Sequence, residues 1–394
     1  MRPNPRKTLL AILITVFFFL TITHPAALYR GATSGLGIWW QIVFPSLLPF
    51  FIITEILLAL GVIQFSGALL EPLTQKVFRL PGSAAFAFAV GYTSGYPMGA
   101  AMAARLSSQK MLSPSEAGRL AAFTNNASPV FILVAVSVGM YQNTNLGPFL
   151  AGVHYLSNML CGLTLGLIAR PLPATKLNLW RHAVDTLAGA HQSDLRNIGQ
   201  LAGDAVRYAV NSLFTIAGFI CIFAVILQLF NEVGTLRAAL AFTGDILHKL
   251  GLPADLWPAL GAGLFEVTLG AKTAAETSAP LMHKILITEI ILAWSGLSIV
   301  MQALSFLSAA GVPGTFFILG RLLQAFYASI LTIVLFPLFA PHLTQTAAAF
   351  PPSAPSFYAN LSGATVLCLG VNLSLIVLSA LYGLYHRFKP QGTN

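Results

Sequence analysis

The stretch Gly91–Ala100 reads GYTSGYPMGA and lies between two apolar runs, AAFAFAV (84–90) and AMAARL (101–106). Three glycines, a proline and two tyrosines suit neither helix nor strand. In hydrocarbon, irregular backbone is tolerated only where protein buries it or water lines it. The segment 82–106 therefore enters the membrane, turns at mid-depth and returns. The turn bares N–H groups at the start of the half-helix 98–106, an end that suits an anionic group. Thr93, Ser94 and Tyr96 add hydroxyls around Gly95. The competing reading is that the glycines only let helices pack closely.

The whole composition agrees with a membrane setting. Of 394 residues, 56% are hydrophobic and 8% charged, with a mean hydropathy of +0.77. Soluble domains carry about 25% charged residues. Apolar runs long enough for helical spans recur along the chain, which points to helices rather than a β-barrel. The net charge of +9 serves to orient loops toward the cytoplasm, and no nucleic-acid partner is implied. Cys161, Cys221 and Cys368 stand singly in apolar runs and read as small core residues. No P-loop, GxSxG, HExxH or metal-ligand spacing occurs, so the reading is of a protein that is not an enzyme, with no cofactor and no metal. His182 and His191 fall in the polar loop 171–200, which reads as solvated. Arg2, Arg6 and Lys7 before the apolar run Thr8–Ile22 resemble a signal peptide, but a retained first span gives the more consistent topology.

Eight spans are expected, at about 8–24, 42–63, 114–139, 146–169, 205–230, 282–308, 314–340 and 358–385. Two broken segments, 82–106 and 254–275, re-enter. The two halves share an order of features. FPSLLPFFIITEILLALGV (44–62) answers VNSLFTIAGFICIFAVILQ (210–228), GYTSGYPMGA answers GLFEVTLGA (263–271), and FTNNASPVF (123–131) answers AWSGLSIVM (293–301). Each unit holds three spans, so the second begins from the opposite face, as inverted-repeat transporters do. The fold class is an all-α membrane protein: about eight transmembrane helices plus two re-entrant helical hairpins in an inverted repeat. Its parts are 1–41 (first span and connector), 42–170 (repeat 1), 171–204 (cytoplasmic linker), 205–340 (repeat 2) and 341–394 (outer loop, last span and basic tail). The outer loops YQNTNLGP (141–148) and APHLTQTAAAFPPSAPS (340–356) contain no Lys or Arg, which puts them outside.

Further polar residues sit where spans should be uniform. Pro129 removes a helical N–H and disfavours the α region at Ser128, so Thr124, Asn125 and Asn126 mark an unwound point, either a site or polar glue between helices. Ser295, Gly296 and Ser298 mark the matching point of the other repeat, with Gln302 a turn later. Glu266 is an acid on irregular mid-membrane backbone, which normally faces a cavity, a cation or a proton path. Glu289 and Glu55 lie nearer span ends and read as structural. Arg321 has two readings of equal weight: it snorkels to the cytoplasmic interface, or it points into the site as a fixed cation.

GYTSGYPMGA, FTNNASPVFI, GLFEVTLG, SGLSIVMQ and GRLLQAF, taken in this order, resemble the motifs of the sporulation integral membrane protein YlbJ family, also called stage V sporulation protein V. That family belongs to the nucleoside-recognition or Gate group, similar to concentrative nucleoside transporters. The resemblance implies a mid-membrane site between two hairpins and two unwound helices, lined by 93–97, 124–128, 266–268 and 295–298, which adds Ser128 and Thr268 to the candidates. Ala100 and Ala101 depart from the family, where a charged residue often follows the hairpin glycine. It also implies export of dipicolinic acid from the mother cell during endospore formation, hence a multi-pass protein of the cell membrane, in a spore former the outer forespore membrane. The expected partners are a small anionic substrate, a coupling proton or cation, and the lipid bilayer; an oligomer stays open. A nucleoside or nucleobase transporter and a non-transporting scaffold for spore-envelope assembly are the alternatives.

Cysteines introduced at 141–147 should label from outside the cell and those at 172–198 only from the cytoplasm. Labelling of position 110 from outside would mean that 82–106 crosses.

Overall fold

The computed structural model describes residues 5–170, 179–194, 196–235 and 251–343, and every regular element among them is helical. After α1 (Pro5–Thr23) comes one long apolar rod, made of α2 (Pro25–Ile38), a π turn at Trp39–Val43 and α3 (Phe44–Ala59). A shorter helix, α4 (Val62–Lys76), leads into the first hairpin, α5 (Ala84–Ser94) and α6 (Met98–Ser108). The first broken helix is α7 (Pro114–Thr124) followed by the π-helical segment Phe131–Met140, and α8 (Leu146–Leu167) closes the unit. After α9 (Leu179–Ser193), the second unit repeats the order. It runs α10 (Ile198–Glu232), the second hairpin of α11 (Trp257–Phe265) and α12 (Val267–Glu276), the second broken helix of α13 (Leu281–Trp294) and α14 (Gly296–Ala309), then α15 (Thr315–Leu343).

Five of the described helices are long and apolar enough to cross a membrane: Pro25–Ala59, Leu146–Leu167, Ile198–Glu232, Leu281–Ala309 and Thr315–Leu343. The expected eighth span, 358–385, lies outside the described residues, as does most of LAFTGDILHKLGLP (240–253), the amphipathic piece that answers LLEPLTQKVFRLPG (69–82) of the first half.

Two expectations need correction. The helix placed at 42–63 starts at Pro25 instead, because the glycines before it pack rather than loop. A Cβ on Gly31 would meet Val225 Cα at 2.7 Å, and one on Gly35 would meet Cys221 Cα at 3.1 Å. Two glycines four apart form a groove in which α10 seats, and the Trp39 indole donates to the Leu213 carbonyl at 3.0 Å. Part of the linker is also ordered. Helix α9 lays Ala183 and Leu179 on Phe65, Ala68 and Leu69 of α4, and His182 Nε2 lies 3.0 Å from Glu71 Oε1, so His182 is paired rather than merely solvated.

The breaks have local causes. A capping box between Ser113 and Glu116 starts α7. Pro129 stops it, and the chain resumes when the Phe131 N–H donates to Ser128 Oγ at 3.2 Å. In the second unit Ser295 and Gly296 take left-handed φ values of 70° and 78°, which ends α13 and restarts the chain as α14. The units then interlock crosswise. Helix α6 of the first hairpin packs on α14, and α12 of the second hairpin packs on the Phe131–Met140 segment. Such reciprocal contact is what a two-fold relation between the units produces.

The hairpin glycines are contact points. A Cβ on Gly91 or Gly99 would fall on the Thr124 carbonyl, and one on Gly95 would meet Ser128 N at 2.6 Å. Gly99→Ala should therefore lose about 1–3 kcal/mol by overpacking, read as a lower unfolding midpoint in detergent. Gly218→Ala, with open space around it, should hold or gain. Equal behaviour of the two variants would contradict this packing.

Candidate substrate site

The tips of both hairpins and the restarts of both broken helices meet around one small cavity. Its polar side carries Ser94, Gly95, Tyr96 and Pro97 from the first hairpin, Ser128 and Phe131 from the first break, Glu266, Val267 and Thr268 from the second hairpin, and Ser298, Ile299 and Gln302 from the second break. Facing them is an apolar wall of Val43, Leu47 and Phe51 at the start of the α3 rod and Ile216, Phe219 and Ile220 on α10. The cavity continues into a vestibule that shares Phe51, Ser94, Tyr96, Pro97, Ile216 and Gln302 and adds Glu55, Tyr208, Ser212 and Phe306 among others. Tyr208 adjoins Arg207 near the start of α10, and the charge of Arg196 reaches Glu55. At the opposite ends of the two broken helices, the Tyr141 hydroxyl donates to the Lys284 carbonyl at 3.1 Å and lies 2.7 Å from Thr288 Oγ1. The vestibule thus lies toward the start of α10, where Arg196 and Arg207 pair with Asp194 and Asp204, and the broken helices are tied together away from it.

Eight of the residues expected in the site line this cavity: Ser94, Gly95, Tyr96, Ser128, Glu266, Thr268, Ser298 and Gln302. Six stand behind it and build its wall. Thr93 Oγ1 donates to the Ala89 carbonyl and Thr124 Oγ1 to that of Leu120, both at 2.8 Å and both within their own helix. The Ser295 hydroxyl donates to the Trp294 carbonyl at 2.5 Å. Asn125 Oδ1 stands 3.5 Å from the Ala100 N–H at the start of α6. The Asn126 carbonyl receives the Tyr96 N–H at 2.7 Å. With its amide turned to satisfy both ends, Asn126 donates to the Gly91 carbonyl at 3.1 Å and accepts from Asn158 at 3.0 Å. The two asparagines fasten the hairpin to the break.

Arg321 follows neither expected course. It is fully buried, does not snorkel and is not part of the cavity lining. Its guanidinium donates to the Ala293 carbonyl at 3.2 Å and to the Ala122 carbonyl by a short bond. These carbonyls belong to the last turns of α13 and α7, the two helices that stop in mid-span. A cation is favoured at a helix C-terminus, where carbonyls lack intrahelical partners. One arginine caps both breaks. Gly320 beside it lets α15 approach Ala122.

Glu266 also has a structural duty. It is the N-cap of α12, with extended φ and ψ of −144° and 127°, and its carboxylate accepts the Leu269 N–H at 2.7 Å. The positive end of the second half-helix is thereby met by the protein's own acid, and it is not left to an anionic solute. Gly296 makes this possible: a Cβ there would meet Glu266 Cα at 3.0 Å. Nothing in the residue pattern marks the apolar wall, whose residues read as ordinary span. His154, buried in α8 behind the first break, had one: a histidine inside an otherwise apolar run.

Two hairpins and two broken helices around a mid-membrane cavity are the layout of a transporter-like integral membrane protein. A family model described as "Gate: Nucleoside recognition" matches residues 40–144. The chain is 39% identical over 347 residues to the sporulation integral membrane protein YlbJ of Bacillus subtilis (strain 168), covering 84% of each. The chain belongs to the YlbJ family of sporulation integral membrane proteins. A solved structure of a CNTnw variant in its intermediate 3 state aligns with a TM-score of 0.49 and 13% identity, over 84% of this chain and 85% of that one.

Arg321→Gln should destabilise the protein by about 1.5–3 kcal/mol, the scale of a hydrogen bond to a charged group, seen as a lower unfolding midpoint and lower yield. A variant of normal stability with only a weakened solute affinity would move Arg321 into the site.

Proposed function

We propose that the protein carries a small planar organic solute across the membrane by alternating access to the cavity between the hairpin tips. The observation that supports this most is the cavity itself, polar on four converging tips, apolar opposite, and continuous with a vestibule toward one face. Ligand sites of this kind, with few polar groups on an apolar lining, bind small molecules. Phe51, Phe131, Phe219 and Tyr96 surround the space and suit an aromatic ring.

Dipicolinic acid, exported from the mother cell through the outer forespore membrane, is the solute that membership in a sporulation family favours. The lining sets a condition on it. Among the described residues Glu266 is the charged residue of the cavity and no Lys or Arg lines it, and the N-terminus of α12 is already capped. A dicarboxylate therefore travels with a proton or a cation that offsets its charge. A nucleoside is the second reading. The match to a nucleoside-recognition model and the lining of hydroxyls, one amide and one carboxylate favour it, because ribose hydroxyls donate to such acceptors. A scaffold without transport would leave the cavity unused.

Flux of labelled dipicolinate and of labelled uridine into proteoliposomes, each challenged by the other, separates these readings. Dipicolinate flux that uridine fails to inhibit supports export of the acid. Uridine flux alone supports the nucleoside reading, and no flux of either supports the scaffold. Ser298→Leu, which fills the cavity with an apolar group, should lower flux at least tenfold, about 1.4 kcal/mol, at unchanged protein level. Unchanged flux would remove the cavity from the pathway.

A further inference from the structure

Behind the cavity lies a second polar cluster that the proposed transport path does not touch. Glu289, on α13, is fully buried, and among the described residues neither of its carboxylate oxygens has a hydrogen-bond partner. Its nearest charged-type neighbour is His154 on α8, also fully buried, with Nδ1 at 3.8 Å from Glu289 Oε2. The tautomer of that histidine is set from its other side. The Ala127 N–H donates to His154 Nε2 at 3.2 Å, so Nε2 is the lone-pair nitrogen and Nδ1 carries the hydrogen. A second proton on the ring would cost the Ala127 bond. The imidazole is therefore neutral, and the group free to titrate is the carboxyl.

The other ionisable groups around Glu289 are committed elsewhere. Arg321 on α15 donates through its two terminal nitrogens to Ala293 and Ala122, and its buried Nε–H has no hydrogen-bond partner among the described residues. Lys272 and Glu276 of α12 pair with each other at 2.7 Å, and Lys284, on the same helix as Glu289, donates to the Thr277 carbonyl at 2.9 Å. Glu266 of the second hairpin caps α12. Tyr141 and Tyr96 lie within the electrostatic reach of Glu289 and bring no positive charge. The Gln324 amide of α15 donates to the His154 carbonyl at 3.3 Å and lies 3.4 Å from the ring Nε2 and 3.5 Å from Nδ1, so the 3.2 Å bond from Ala127 is the shortest to the ring and decides the tautomer. A bare carboxylate in a dry interior without a cation or donor is strongly disfavoured and neutralises by taking up a proton.

We propose that Glu289 is a proton-binding site, held as the neutral acid in this cavity-open conformation and connected through His154 to the break in the first broken helix. The connection is short. Ala127, which His154 holds, is the residue before Ser128 in the cavity wall, and the Tyr155 hydroxyl donates to the Ala127 carbonyl at 2.9 Å. Glu289 itself sits less than two turns before the second break. Loss of its proton would create a carboxylate that draws the His154 Nδ1–H toward it and so pulls on Ala127. One ionisation then acts on both broken helices at once. That the proton is coupled to solute movement rests on the transport reading; that Glu289 holds a proton does not.

Infrared spectroscopy of the purified protein in lipid tests the site directly. At neutral pH the wild type should show a deuterium-sensitive C=O stretch of a buried protonated carboxyl. The band should survive in Glu266→Gln, disappear in Glu289→Gln and shift in His154→Gln. If Glu289→Gln does not accumulate, Glu289→Asp should shift the same band. Absence of the band in wild type, its full persistence in Glu289→Gln, an unmoved band in Glu289→Asp, or its removal by sodium or potassium ions at fixed pH would each overturn the proposal. A Glu289 band in a protein that moves no solute would leave the proton site standing and end the transport reading instead.

Discussion

Two helices stop halfway through this protein, and the carbonyls each leaves behind are held by the same guanidinium. Arg321 reaches Ala122 at the end of α7 and Ala293 at the end of α13. In water such carbonyls would be solvated at little cost. In a membrane interior they must be satisfied by protein. Once they are, the chain can restart out of line with itself, the serines at the restarts can face a cavity, and the hairpins can bring their tips to the same depth. Removing the arginine would leave two frayed helix ends facing each other in a low-dielectric interior.

The same economy governs charge around the cavity. Arg321 stands behind the wall, Glu266 neutralises the half-helix it begins, and the asparagines at the first break fasten backbone to backbone. What remains facing the cavity is a set of hydroxyls, one amide and the exposed edge of one acid, opposite aromatic and aliphatic side chains. Such a site holds a flat ring by contact and reads its polar edge with few groups. Its electrostatic character is mildly acidic, and a dicarboxylate needs a companion charge there.

The fold was largely legible, because glycine and proline in a hydrophobic run have few explanations. GYTSGYPMGA read as a turn at depth in preference to close helix packing, and the matching order of features in the two halves revealed the repeat. Other features were hidden for physical reasons. Gly31 and Gly35 fell within the connector of the 1–41 segment, since sequence does not show the facing helix that makes a groove useful. Glu266 read as an acid facing a cavity, a cation or a proton path, and its second role as an N-cap stayed hidden because it depends on the extended φ and ψ that place its carboxylate over Leu269. The partners of Arg321 are backbone carbonyls, which carry no residue identity, and one lies 199 positions away. The apolar wall was indistinguishable from lipid-facing span. His154 and Glu289 were visible as residues, but their pairing joins α8 to α13 and appears only when the helices are packed.

The central claim is that a solute reaches the space between the hairpin tips from the face bearing Arg196 and Arg207. The direct measurement is the modification of a single cysteine at Ser298, in a background lacking Cys161, Cys221 and Cys368, by a membrane-impermeant thiol reagent applied to each face in turn. The account predicts reaction from the face bearing Arg196 and Arg207, slowed by the transported solute at concentrations that saturate flux. A cysteine that reacts only from the opposite face, or at the same rate with the solute present, would contradict it.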